Sequence, residues 1–135
     1  MASESGVLAA RRLRYAHEAL TSARLNVTHG LPISAINRAY YAAFYAAKAA
    51  LGCEGIEVGK HTAVQGELHR VLVHTGRLDP TWGRAFLRLF EARSQGDYSM
   101  RTEPGIEEAA VLVALAGDFV AEMHRMLSIP PLDPE

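Results

Sequence analysis

From Ser34 to Leu51 the chain reads SAINRAYYAAFYAAKAAL, and this stretch limits the possible folds more than any other. It is Ala-rich and contains neither Gly nor Pro, so local propensity is helical throughout. Its only charges are Arg38 and Lys48, while Tyr40, Tyr41, Phe44 and Tyr45 supply bulk at one-turn spacings. A helix with so little to offer water belongs inside, and its small side chains let neighbouring helices approach closely. The expected architecture is all-α: an up-and-down bundle of about five helices with this segment at its centre.

A buried central helix needs enough chain around it. With 135 residues, 49% of them hydrophobic, the sequence can build one core without metal or disulfide staples. Residues 1–128 form a single expected domain, and 129–135 a Pro-rich tail. A formal charge of -1 excludes a strongly basic nucleic-acid coat but leaves room for a local basic face. The single cysteine, Cys53, cannot close an internal disulfide, the first twenty residues lack a signal-peptide core, and no run is long and apolar enough for a membrane. These features give a cytoplasmic expectation.

Punctuation places the other helices. Ser3 or Ser5 can cap a first helix reaching Thr28, with Gly30 as its stop; Arg11, Arg12, Arg14 and Arg24 are expected on a solvated face paired with Glu18 and other acids. GCEGIEVG, 52–59, reads as a loop. A third helix starts near Lys60 to Thr62, where Thr62 and Gln65 have capping-box spacing, and runs to Thr75–Gly76. Asp79–Pro80 starts a fourth, whose stripe Trp82, Phe86, Leu89, Phe90 and Arg93 can face the core or a second copy, with Gly96 as the expected end. The last helix runs from Ile106 to about Leu127 and is expected to bury Val111, Leu115, Val120, Met123 and Leu127.

Several catalytic patterns fail on inspection. Gly59–Lys60 lacks the earlier Gly of a phosphate-binding P-loop, having Glu54 there, and is followed by His61 rather than Ser or Thr. His17–Glu18 would need a second His where Thr21 stands, and His69 and His74 lack a third ligand at a recognisable spacing, so no metal or cofactor is implied. Cys53 has no nearby His to activate it. The constellation that survives joins Arg38 and the central tyrosines, above all Tyr41, to Lys60–His61 and to Arg93, Asp97 and Tyr98. An arginine ending an apolar stripe must reach solvent or meet a carboxylate, and Asp97 is the nearest. Arg93 and Asp97 could equally stitch the helix end to the next loop.

These residues resemble a family. Asn37 to Leu51, NRAYYAAFYAAKAAL, looks like the hallmark helix of the HEPN domain, and Lys60–His61–Thr62, His74 to Asp79 and Arg93 followed by Asp97–Tyr98 extend the likeness in order along essentially the whole chain. The resemblance implies a bundle of about five helices, frequently dimeric and often encoded beside a minimal nucleotidyltransferase as a toxin–antitoxin pair. Many members are metal-independent ribonucleases using an Arg followed four to six residues later by His. Only Arg93 carries over: no His occurs between His74 and His124, and an ordinary Tyr98 titrates near pH 10, too high for a good general base. The expectation is therefore a homodimeric, non-catalytic binding module that engages a nucleotidyltransferase, a nucleotide or RNA. A ribonuclease using Arg93 and Tyr98 is the alternative, and a purely structural bundle the third reading.

Overall fold

The computed structural model describes residues 3–98 and 103–130, with the backbone alone for 95–98. Five α-helices follow one another: α1 (Glu4–Thr28), α2 (Pro32–Cys53), α3 (His61–Leu68), α4 (Pro80–Tyr98) and α5 (Ile106–Leu127). No strand occurs among the described residues, and no described helix is long and apolar enough to cross a membrane.

Local chemistry explains the boundaries. Ser3 Oγ accepts the Gly6 N–H at 3.0 Å and caps α1, while Gly30 takes the left-handed conformation after its end (φ 71°). Pro32 opens α2 in the first turn, where a missing N–H costs nothing. The Asp79 carboxylate accepts the Thr81 N–H at 2.8 Å ahead of α4. Helix α3 begins at His61, within the expected start, but two details differ from expectation. Lys60 occupies the α3 N-cap without a side-chain bond, so Thr62 and Gln65 do not form a capping box there. Gly96 does not stop α4, which continues to Tyr98. After Leu68 the third helix widens into a π-helical turn, His69–Val73, in which the His74 N–H reaches back five residues to the His69 carbonyl at 2.7 Å.

Helix α2 is the hub, packing against each of the other four α-helices. Ala35, Ala39, Ala42, Ala43, Ala46 and Ala47 are all buried, so its neighbours come close, and Leu13, Leu20, Phe119 and Met123 fill the remaining space. The α4 stripe turns inward: Phe86 and Leu89 are fully buried, and Trp82 and Phe86 both pack against Phe119. Trp82 and Phe90 stay partly exposed at the margin of that core. On α5, Leu112, Val113, Ala116 and Phe119 are buried, whereas Val111 is exposed and Leu115 and Leu127 are only partly covered. Arg12 departs from the expected solvated face. It binds Glu57 through both terminal nitrogens, at 2.6 and 3.3 Å, and donates to the Lys48 carbonyl at 3.1 Å, pinning α1 and the loop after α2 to the end of α2. Gly52 leaves room for this, because a Cβ there would lie 2.5 Å from Arg12 Nη1.

Candidate functional site

The site is built on the outward edge of α2. One-turn spacing puts Arg38 beside Tyr41, and Tyr40 beside Phe44. Asn37 Oδ1 accepts from Arg38 Nε and Nη2 at 3.3 and 3.0 Å, which holds the guanidinium carbon 4.7 Å from the Tyr41 ring centre. From α4, Arg93 brings a second guanidinium to 5.3 Å from the same ring and 5.2 Å from Tyr40. Two forks of N–H donors from different helices thus share one aromatic platform.

The first residue of α3 supplies a titratable group. His61 stacks on Phe44, with ring centres 4.3 Å apart, and its Nδ1 lies 3.2 Å from the Tyr40 hydroxyl. Tyr40 is fully buried among Phe44, Phe86 and Phe90, and burial pushes its phenol up to about 12, against a smaller downward pull from Arg93. The phenol therefore keeps its proton at neutral pH. When it donates to Nδ1, the imidazole proton sits on Nε2; when it accepts from Nδ1–H, Nε2 carries a lone pair. His61 is held below its usual range, first by burial and then by the positive charges of Arg93 and Lys48. Lys48 Nζ lies 5.6 Å from the other aromatic of this group, Phe44.

Chemically, the arrangement offers guanidinium forks for phosphate oxygens, aromatic edges and faces for bases, and an imidazole that can gain or give a proton. Of the residues singled out from the sequence, Arg38, Tyr41, His61 and Arg93 come together. Lys60 stays exposed at the N-cap of α3, outside these contacts. Asp97 and Tyr98 continue the α4 backbone, but their side chains lie outside the described residues. Tyr40 belongs to the central tyrosines already joined to Arg38 from the sequence; sequence reasoning missed Asn37, Phe44 and Lys48 as site residues. The spacings 38/41 and 44/48 did carry a local signal for two of the contacts. Nothing local could bring in His61 or Arg93.

Comparison with known proteins agrees with the all-α fold. The family model described as HEPN domain matches residues 9–126. A UPF0332 protein of Thermotoga maritima is 32% identical over 114 residues, covering 84% of this chain and 86% of its own length. A protein of Methanocaldococcus jannaschii named as a candidate toxin is 30% identical over 115 residues, 85% of each chain.

Proposed function

The chain belongs to the HEPN domain family, and from that premise we propose that it is the HEPN component of a toxin–antitoxin-type pair, binding RNA or nucleotide phosphates through Arg38, Tyr41, His61 and Arg93. The observation that carries this reading is the convergence of two guanidinium groups, from α2 and α4, on the Tyr41 ring with His61 beside them. Arginine forks match phosphate geometry, and the partly buried aromatic platform under them limits their freedom to turn away. The relative named as a candidate toxin supports the toxin–antitoxin setting. Asp97 and Tyr98, further along α4, and Lys60, next to His61, complete the proposed ligand shell. A minimal nucleotidyltransferase is the proposed partner and a homodimer the proposed assembly; co-purification and light scattering address these two points.

A second reading is favoured by one observation. That His61 meets the Tyr40 hydroxyl from α3 and feels the charge of Arg93 supports its candidacy for the proton-transfer group missing from the Arg-x4-6-His spacing. This supports a metal-independent ribonuclease in which Arg93 holds the phosphate and His61 moves the proton. One experiment addresses both readings: labelled single-stranded RNA is incubated with purified protein in chelator and followed by gel shift and by product length. Arg93→Ala should weaken RNA binding by about tenfold or more, the loss of a charge-assisted bond. Intact RNA throughout supports the binding module. Cleavage abolished by both Arg93→Ala and His61→Asn supports the ribonuclease, and binding unchanged in Arg93→Ala rejects the site.

A further inference from the structure

Arg38 has a second neighbourhood. It also borders a cavity of about 320 Å³ between α1 and α2, walled by Tyr15, Glu18, Ala19, Ser22 and Tyr45. The α1 residues recur at three- and four-residue spacing, so one helix face supplies them all. A volume of this size lies at the lower end of the range for small-molecule sites. Three features of the wall point to a particular ligand.

First, aromatic rings run without a break from the phosphate cluster into the cavity. Tyr41, under Arg38 and Arg93, is followed by Tyr45 at 6.3 Å and then Tyr15 at 5.7 Å, edge to face. Second, Tyr15 is 46% exposed, an aromatic surface at the mouth of a cavity rather than in the core. Third, Glu18 and Arg38 line the same space without pairing: Glu18 makes no hydrogen bond or ion pair among the described residues, and Arg38 is bonded to Asn37. The cavity wall therefore offers a cation, a carboxylate that can accept hydrogen bonds, and phenol rings.

We propose that this cavity is a nucleoside subsite, taking a nucleotide whose phosphate lies with Arg38 and Arg93, whose base lies against Tyr15 and Tyr45, and whose exocyclic amino group donates to Glu18. The proposal rests on the phosphate-binding reading of Arg38 and Arg93 and adds base selectivity to it. A carboxylate accepts from the N4 amino group of cytosine. Uracil presents a carbonyl oxygen at that position, and two acceptors facing each other repel. Bases with an amino group on the pairing edge are thus preferred to uracil.

The test is calorimetric titration of the intact chain at low salt with cytidine 5′-monophosphate, uridine 5′-monophosphate and inorganic phosphate, for the wild type, Tyr15→Ala, Glu18→Gln and Arg93→Ala. The cytidine nucleotide should bind about tenfold more tightly than the uridine nucleotide. Tyr15→Ala should weaken both nucleotides by about tenfold while leaving phosphate unchanged, since it removes base stacking alone. Glu18→Gln, whose amide both donates and accepts, should cancel the preference without altering the circular dichroism spectrum. Parallel titrations with short oligocytidylate and oligouridylate separate the sources: a preference kept in the oligomers assigns the subsite to RNA, and one confined to monophosphates assigns it to a free nucleotide. Equal wild-type affinity for the two nucleotides, with both lost in Arg93→Ala, overturns the subsite and leaves the phosphate reading standing. Binding unchanged in Arg93→Ala overturns the phosphate reading and this placement with it, as does no nucleotide binding at millimolar concentration.

Discussion

At the junction of α2, α3 and α4, His61 has one ring nitrogen hydrogen-bonded, to Tyr40, and two arginines share the neighbouring tyrosine rings. At the seam between α1 and α5, His124 has both nitrogens engaged: Nδ1 lies 2.9 Å from the Ile129 carbonyl and Nε2 lies 2.8 Å from His17 Nε2. Because a carbonyl only accepts, Nδ1 of His124 carries the proton, its Nε2 accepts, and His17 Nε2–H donates. Both His17 and His61 are held below their usual range, in each case chiefly by burial. A perturbed histidine is therefore not in itself a sign of function here. What separates the two regions is their surroundings: His124 has both nitrogens bonded inside the bundle, while His17 and His61 each keep one nitrogen without a hydrogen-bond partner among the described residues, and His61 stands beside two arginines gathered on tyrosine rings, groups suited to an anion.

The strongest way to break this contrast is to remove the His17–His124 pair. His124 is buried, and His124→Ala leaves a cavity, an orphaned His17 N–H and an orphaned Ile129 carbonyl. The expected cost is about 2–4 kcal/mol in urea unfolding, with RNA affinity unchanged. A cost under about 1 kcal/mol together with weakened RNA binding would reverse the roles assigned to the two regions. Tyr40→Phe probes the other side more gently. The ring still packs on Phe86 and Phe90, and only the hydroxyl contact to His61 goes, so stability should fall by about 0.5–1.5 kcal/mol. RNA affinity should drop by a few fold because His61 loses the group that orients it. An affinity unaffected by Tyr40→Phe would detach His61 from the site.

How much of this was legible in the sequence depends on the range of the interaction. The all-α bundle and its hub could be read from the uninterrupted, Ala-rich run 34–51, and Asp79–Pro80 marked the start of α4, because propensity and capping are local. The buried face of α5 was harder. In the run Val111, Leu112 and Val113 the last two are buried and the first is exposed, which their shared apolar character does not distinguish, and the seam continues through Ala109, Ala116 and Phe119. Arg12 looked like a surface charge because its partner, Glu57, is forty-five positions away. At the site, Arg38 over Tyr41 follows from helical spacing, whereas His61 on Tyr40 and Arg93 over both tyrosines are tertiary contacts. Family resemblance pointed to Arg93 and to the His61 segment, but not to their meeting.

The smallest expected effect, and the one that tests the contrast in a single titration, is the pH dependence. Both His17 and His61 have folded pKa values below the ordinary 6.5, so on acidification the unfolded chain takes up its protons first. Their contribution to stability is fully present above about pH 6.5 and declines as the pH falls from there towards the folded values. Both rings remain partly hydrated, which keeps the loss modest. A phosphate bound beside His61 favours its charged form and raises its pKa, so RNA binding should take up a proton and tighten as the pH falls from about 7 to 6. No ligand is proposed beside His17. Thermal unfolding at several pH values, with and without RNA, should then show RNA cancelling part of the acid sensitivity, and His61→Asn should abolish that cancellation while leaving the part due to His17. Acid sensitivity that RNA does not change in the wild type would place His61, like His124, among the histidines that only hold the bundle together.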